Sequence, residues 1–172
     1  PGASGEAQDG AASKLVCRVR PCEKPCQAVT VLERETRIEV TLNRGQPGVQ
    51  VRFDHVLGEQ REQQDAFDLI RPGILGCFRA GSAGCTVVAH GGPGSGKNYL
   101  LSGLFQHKES QQGLVPRAIR LIAENLKGGR TSVVAVEASF FEIHNDEAYD
   151  LLKGGSQRVG LHELPEPPHV AP

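Results

Sequence analysis

A short apolar run that leads into a glycine-rich loop is the feature that most restricts how this 172-residue chain can fold. Residues 85–89, CTVVA, carry no charge, and the heptad GGPGSGK begins two positions later, at Gly91. A continuous apolar run bounded by glycines is typical of a strand buried on both faces of a parallel sheet. Helix-compatible residues follow the loop, so the sequence predicts an α/β fold.

The heptad matches the first seven positions of G-x-x-x-x-G-K-[ST], the phosphate-loop pattern. Glycines let the backbone turn its amides toward an anion, and the closing lysine reaches the terminal phosphates. The pattern therefore predicts a P-loop NTPase-type sheet flanked by helices, with a nucleotide as ligand. The predicted phosphate-binding residues are Gly91, Gly92, Pro93, Gly94, Ser95, Gly96 and Lys97.

One position departs from the pattern. Asn98 stands where a serine or threonine hydroxyl normally holds Mg²⁺. An amide oxygen can bind a hard cation, but the longer side chain also carries an NH₂ donor that a metal does not accept. The sequence thus names Asn98 as the candidate metal ligand and predicts weakened Mg²⁺ coordination.

The residues before the loop predict mainly strands. Residues 1–13 lack periodicity and are predicted to be a flexible leader. A short strand at residues 15–19 ends before Pro21, because proline cannot donate to a central ladder. From residue 29 to residue 53 apolar and polar residues alternate, which indicates a small antiparallel lobe with one face in water.

Two helices are predicted from apolar spacing. The first covers residues 67–78, contains Pro72 and is expected to be kinked or interrupted there and to end near Gly81. The second has Pro116 in its first turn and ends at Gly128. The remaining predictions are a long strand at 132–143, a short helical turn at 149–152 and a loop from Gly154 onward.

Charge and apolar patterning exclude some classes of partner. The chain has 19 basic and 20 acidic side chains, so it has no overall attraction to nucleic acid or anionic lipid. No apolar run approaches the roughly 20 residues that a membrane-spanning helix needs. The sequence therefore predicts neither a nucleic-acid partner nor a membrane partner.

Five segments, in order, resemble the kinesin motor domain. LVCRVRP at residues 15–21 is similar to the family's first strand and Arg-x-Arg-Pro loop, and FDHV at 53–56 to its Phe-Asp-x-Val. VVAHGGPGSGKNYLLSG at 87–103 resembles Ala-Tyr-Gly-Gln-Thr-Gly-Ser-Gly-Lys-Thr-Tyr-Thr-Met-x-Gly. GLVPR at 113–117 is similar to Gly-Ile-Ile-Pro-Arg, and ASFFEIHNDEAYDLL at 138–152 to Ser-Tyr-x-Glu-Ile-Tyr-Asn-Glu-x-x-x-Asp-Leu-Leu.

The resemblance implies a truncated kinesin-like motor domain at residues 14–163, followed by a proline-rich tail at 164–172. It also implies that Arg18, Pro21 and Tyr99 flank an adenine base, with Arg20 in the same binding loop. A flat base between a guanidinium, a proline and an aromatic ring gains stacking and cation–π contact.

The implied function is that of a microtubule motor fragment that binds ATP or ADP with Mg²⁺, has tubulin as its partner and is cytoplasmic and cytoskeleton-associated. In the complete domain, ATP hydrolysis would drive movement along microtubules. The family's switch strings, Asn-x-x-Ser-Ser-Arg-Ser-His and Asp-x-Ala-Gly-x-Glu, do not occur in these residues, so no catalytic residue is assigned and turnover stays open. Two alternatives also stay open: a non-catalytic binding or regulatory product that retains the first half of the motor fold, and a nucleotide phosphotransferase.

Overall fold

The computed structural model describes residues 13–22, 28–32, 36–41, 46–79, 81, 84–104, 108–128, 136–154 and 157–160. They divide into two compact units, Pro1–Thr131 and Ser132–Pro172. The predicted leader, apart from its last residue, and the predicted proline-rich tail lie outside the described residues. Among the described residues, no helix combines the length and the apolar character that crossing a bilayer requires.

The first unit contains two small sheets. Strand β1 (Val16–Arg18) pairs in parallel with β5 (His55–Leu57). The other sheet is antiparallel, in the order β2 (Val29–Val31), β3 (Arg37–Val40) and β4 (Val49–Arg52). The predicted antiparallel lobe is therefore confirmed. The predicted burial of one face holds for Ile38 of β3, but all four residues of β4, including Val49 and Val51, are exposed.

Hydrogen bonds just outside both ends of β1 connect it to the β5 segment. The Leu15 amide donates to the Asp54 carboxylate at 2.7 Å, and the Val19 amide donates to the Leu57 carbonyl at 2.8 Å. The strand ends at Arg18, before Arg20 and Pro21. The pairing with β5 therefore fixes the positions of Arg18 and Arg20, at the end of β1 and just after it.

Helix α1 (Gln63–Gly76) runs without a break through Pro72, so the predicted interruption is wrong. A proline removes one intrahelical hydrogen bond, and here the helix is held on both sides of it by the buried residues Phe67 and Ile74. The helix also ends earlier than the predicted Gly81. Phe78 and Arg79 donate to carbonyls three residues back, a tightened pattern that closes the last turn.

The core of the first unit lies between α1 and helix α3 (Leu114–Lys127). Its buried members are Leu57, Ala66, Phe67, Ile74 and Leu114. The second predicted helix is confirmed, with Pro116 in its first turn and Gly128 as its C-terminal cap. A five-residue helix, α2 (Lys97–Leu101), and a short 3₁₀ turn at Glu109–Gln111 connect the glycine-rich loop to α3.

Residues 85–89 do not form the predicted buried strand. They carry no assigned secondary structure, and Val88 is 81% exposed. A strand exists only when neighbouring strands supply hydrogen bonds, and in the described part of the chain none pairs with this segment. The segment is apolar, as a buried strand would be, but no strand among the described residues pairs with it.

The second unit is a three-stranded antiparallel sheet, β6 (Phe141–His144), β7 (Glu147–Asp150) and β8 (Gln157–Val159). Asn145 and Asp146 connect β6 to β7 with φ values of 51° and 62°. Positive φ at both central residues is typical of a two-residue type I′ hairpin turn. The local turn chemistry therefore explains this hairpin.

Three predictions in this unit are corrected. The long strand begins at Phe141, since residues 136–140 carry no ladder and 129–135 lie outside the described residues. The predicted helical turn at 149–152 is instead the end of β7, followed by a turn at 151–154. The predicted loop after Gly154 contains β8. Cross-strand hydrogen bonds from the hairpin outweigh the weak local preference for a helical turn.

Candidate nucleotide-binding site

The glycine-rich loop adopts a backbone shape that its sequence dictates. Gly94 and Gly96 have φ values of 72° and 95°, in the left-handed region that favours glycine. A Cβ at either position would meet no atom within 4 Å. Glycine is therefore favoured here by the backbone conformation and not by lack of space. The Ser95 amide donates to the Gly92 carbonyl at 3.2 Å, and the Leu100 amide donates to the Gly96 carbonyl at 2.8 Å. The loop therefore turns on itself and leads directly into α2.

Lys97 folds back across this loop. Its Nζ donates to the carbonyl oxygens of Gly91, at 2.6 Å, and Gly92, at 2.8 Å. The side chain is half-buried. The ammonium is thus held at the loop, where the sequence predicts a phosphate-binding charge.

Arg18 at the end of β1 and Arg20 just after it both reach the region of the glycine-rich loop and α2. The Arg20 guanidinium donates to the Gly94 carbonyl oxygen, linking residues that are 74 positions apart in the sequence. The Arg18 guanidinium carbon lies 5.5 Å from the centroid of the Tyr99 ring, within cation–π range. Arg18 and Tyr99, which the resemblance places beside an adenine base, are thus neighbours, and their contact with a base stays a prediction.

These residues surround a cleft of about 160 Å³. Its charged side chains are Arg18, Arg20 and Lys97, and among the residues that the structure describes no carboxylate lines it. A cleft lined by three cations suits a ligand with several negative charges. The full lining is Val16, Arg18, Arg20, Pro21, Val88, Ala89, His90, Ser95, Gly96, Lys97, Tyr99 and Leu100.

Seven of the twelve predicted site residues line this cleft: Arg18, Arg20, Pro21, Ser95, Gly96, Lys97 and Tyr99. Gly91, Gly92, Pro93 and Gly94 form the turn behind it, where three of their carbonyls accept hydrogen bonds from Lys97 and Arg20. Asn98 is exposed on α2 and is not among the lining residues.

The environment of Arg18 involves a residue that the sequence analysis missed. Partial burial lowers the pKa of the Arg18 guanidinium, while nearby Tyr99 and Asp65 raise it. Arg18 Nη1 also donates to Gln63 Oε1 at 2.9 Å. Gln63 lies four residues before Phe67, at a position where the helical spacing of α1 predicts an apolar residue. A glutamine at such a position is the sequence signal that could have identified it. His90 was missed too, although it directly precedes the heptad.

The residues present fit Mg²⁺ poorly. In the part of the chain that the structure describes, no group of three or more His, Cys, Asp or Glu side chains could hold a metal. Asn98 offers one amide oxygen, and hard cations favour several oxygen ligands with carboxylates among them.

The family model described as "Kinesin motor domain" matches residues 10–170 of this chain. The chain is 32% identical over 112 residues to a kinesin heavy chain of Syncephalastrum racemosum, which covers 64% of this chain and 12% of the relative. It is 31% identical over 120 residues to the chromosome-associated kinesin KIF4 of Mus musculus, covering 67% of this chain and 10% of the relative. It is 32% identical over 166 residues to the kinesin-like protein KIF3C of Pongo abelii, and this match covers 90% of this chain and 21% of the relative.

Solved motor structures share the fold. A fast kinesin, described for its ATPase mechanism and interactions with microtubules, aligns with a TM-score of 0.64 and 27% identity over 81% of this chain and 40% of its own. The Drosophila kinesin family member Kin10/NOD, in complex with divalent manganese and ADP, aligns with a TM-score of 0.67 and 23% identity over 87% of this chain and 51% of its own. The chain thus spans a small part of its curated relatives and about half of these solved chains. The match of nearly the whole chain to one family model, together with the shared fold, shows that it belongs to the kinesin motor domain family.

Proposed function

We propose that the first unit binds an adenine nucleotide and serves as the nucleotide-binding half of a kinesin-type motor. The observation that carries this proposal is the convergence of Arg18, Arg20 and Lys97 on one cleft beside the glycine-rich loop. The three cations come from two separate segments of the chain, so their meeting depends on the fold and is more specific than a sequence pattern. Their shared charge suits the phosphates of a nucleoside di- or triphosphate.

The proposed roles divide along the cleft. The backbone amides of residues 92 and 94–97 and the Lys97 ammonium, which also donates to the carbonyls of Gly91 and Gly92, bind phosphate oxygens; Pro93 has no amide hydrogen to donate. Arg18, Pro21 and Tyr99 contact the base, where the guanidinium and the phenol ring offer flat surfaces. Arg20 holds the loop through the Gly94 carbonyl.

The complete motor's activity is part of the proposal. The relatives include a kinesin described for its ATPase mechanism and a NOD structure docked with tubulin on a microtubule. We infer that the complete motor domain hydrolyses ATP and couples this hydrolysis to movement along microtubules, and that the protein is cytoskeleton-associated. To the residues present we assign nucleotide binding alone, because neither family switch string occurs among them. Membership in the kinesin family disfavours the nucleotide phosphotransferase.

Nucleotide binding is expected to be saturable and measurable in the isolated chain. A fluorescent ADP analogue titrated into the protein should show a hyperbolic rise in anisotropy, and unlabelled ADP or ATP should reverse it. Raising the salt concentration should weaken binding, because cations supply much of the attraction. A protein with intact circular dichroism that shows no displaceable signal would contradict the proposal.

Replacing Asn98 by threonine is expected to increase the effect of Mg²⁺ on nucleotide affinity. A threonine hydroxyl restores an oxygen ligand without a competing NH₂ group. The ratio of ADP affinities with Mg²⁺ and with EDTA should rise by about tenfold, a typical size for changes at a metal site. Asn98→Ala is the matched control and should leave the ratio near that of the unmodified chain. An unchanged ratio in Asn98→Thr would argue against Asn98 as the weak point.

A further inference from the structure

Gln63 is the most buried polar side chain among the described residues, with 1% of its surface exposed. It is the first residue of α1 and lies in the register of Phe67 and Ile74, both of which belong to the apolar core. Burying a side-chain amide costs free energy unless both of its polar ends are hydrogen-bonded. A leucine would satisfy the core without that cost, so packing alone does not explain a glutamine here.

Both ends of the Gln63 amide bind residues of the cleft. Its Oε1 accepts a hydrogen bond from Arg18 Nη1 at 2.9 Å, and its Nε2 donates to the backbone carbonyl of Tyr99 at 2.6 Å. Arg18 belongs to β1 and is 45 residues from Gln63 in the sequence. Tyr99 belongs to α2 and is 36 residues from Gln63. One side chain thus joins the strand to the helix at the point where the guanidinium faces the ring.

The start of α1 holds Gln63 in this position. The Asp65 carboxylate accepts a hydrogen bond from the Glu62 amide at 2.6 Å, which satisfies one of the free amides at the helix N-terminus. Asp65 also attracts Arg18 electrostatically. The start of α1, the Gln63 amide and the Arg18 guanidinium therefore form one connected group.

We propose that Gln63 is a positioning residue for the base of the nucleotide: it fixes the separation and orientation of Arg18 and Tyr99, so that the cleft distinguishes an adenine nucleotide from a bare polyphosphate. This inference rests on the proposed nucleotide-binding function. Gln63 acts through Arg18 and Tyr99 and does not line the cleft itself. Pre-organised contacts bind more tightly because less side-chain freedom is lost when the ligand binds.

Calorimetric titrations with ADP and with inorganic pyrophosphate separate the two parts of the site. Pyrophosphate reports on the glycine-rich loop alone, and ADP reports on the loop and the base together. Gln63→Leu should lower ADP affinity by about tenfold, the equivalent of one hydrogen bond to a charged group, and leave pyrophosphate affinity within about twofold. Gln63→Met, with similar length and no polar ends, should behave in the same way. Gln60→Leu, at an exposed turn residue, is the matched control and should change neither affinity.

A double-substitution cycle tests whether Gln63 acts through its partner. In an Arg18→Ala background, Gln63→Leu should cause little further loss of ADP affinity, because the guanidinium it positions is gone. Equal losses for ADP and pyrophosphate would indicate a purely structural role and overturn the inference, as would unchanged ADP affinity in both Gln63 variants. An unmodified chain that binds neither ligand would instead overturn the nucleotide-binding proposal on which the inference rests.

Discussion

Replacing Lys97 by alanine is expected to weaken nucleotide binding by about 100-fold or more, the largest functional effect of any single substitution in the chain. The Lys97 ammonium is the charged group that the loop holds by two hydrogen bonds, to the carbonyls of Gly91 and Gly92. Hydrogen bonds that involve a charged group contribute about 1.5–3 kcal/mol each, so losing two contacts to phosphate accounts for this factor. Displacement titration with unlabelled ADP measures it.

Two comparisons show whether the lost affinity comes from the charge. Lys97→Met keeps the length of the side chain without the ammonium and should lose affinity to a similar extent. Lys127→Ala removes a positive charge at the exposed end of α3, away from the cleft, and should retain affinity within about threefold. Retention of near-normal affinity in Lys97→Ala would mean that the loop is not the phosphate site.

Replacing Gly113 by alanine is expected to cause a large loss of stability. A Cβ at Gly113 would lie 2.6 Å from the Gly103 nitrogen and closer still to the Leu101 carbonyl oxygen. Both obstacles are backbone atoms, which cannot rotate away as the end of a flexible side chain can. Gly113 also directly precedes Leu114, which is buried in the core. Overpacking of this kind costs about 3 kcal/mol, and urea unfolding measures it through the midpoint.

The chain offers a matched glycine for comparison. Gly128 caps α3 with φ at −68°, and a Cβ there would lie 3.5 Å from the Asn125 carbonyl oxygen, an ordinary contact. Gly128→Ala should therefore leave stability unchanged or raise it by less than about 1 kcal/mol. Equal unfolding midpoints for Gly113→Ala and Gly128→Ala would show that the backbone near Leu101 can move to accept the methyl group.

Local signals predicted α3 and the glycine-rich loop. The boundaries of α3 follow from Pro116 and Gly128, whose conformational limits act within one helical turn. The loop was predictable because its shape demands glycine at particular positions, as at Gly94 and Gly96. The β6–β7 hairpin has a local signal of the same kind, since Asn145 and Asp146 are residue types that tolerate positive φ.

Features that depend on distant residues could not be predicted from local patterns. The strand expected at residues 85–89 needed neighbouring strands, which no property of the segment itself supplies. The resemblance to kinesins placed Arg18 and Tyr99 together, but the amide that joins them, Gln63, belongs to a third segment. The sequence indicates a hydrogen bond between residues 45 positions apart only indirectly. Here the indication is a polar residue at a helical position where the spacing predicts an apolar one.

The hydrogen bond from Arg20 to Gly94 has a consequence for how the chain acquires its site. The two residues are 74 positions apart, so the entropy of closing a long stretch of chain must be offset before this contact forms. During synthesis β1 emerges first and has no partner on the loop until the segment that contains Gly94 has followed. Nucleotide affinity should therefore appear abruptly as successively longer nascent chains are compared, which makes ligand capture a reporter of when the first unit folds.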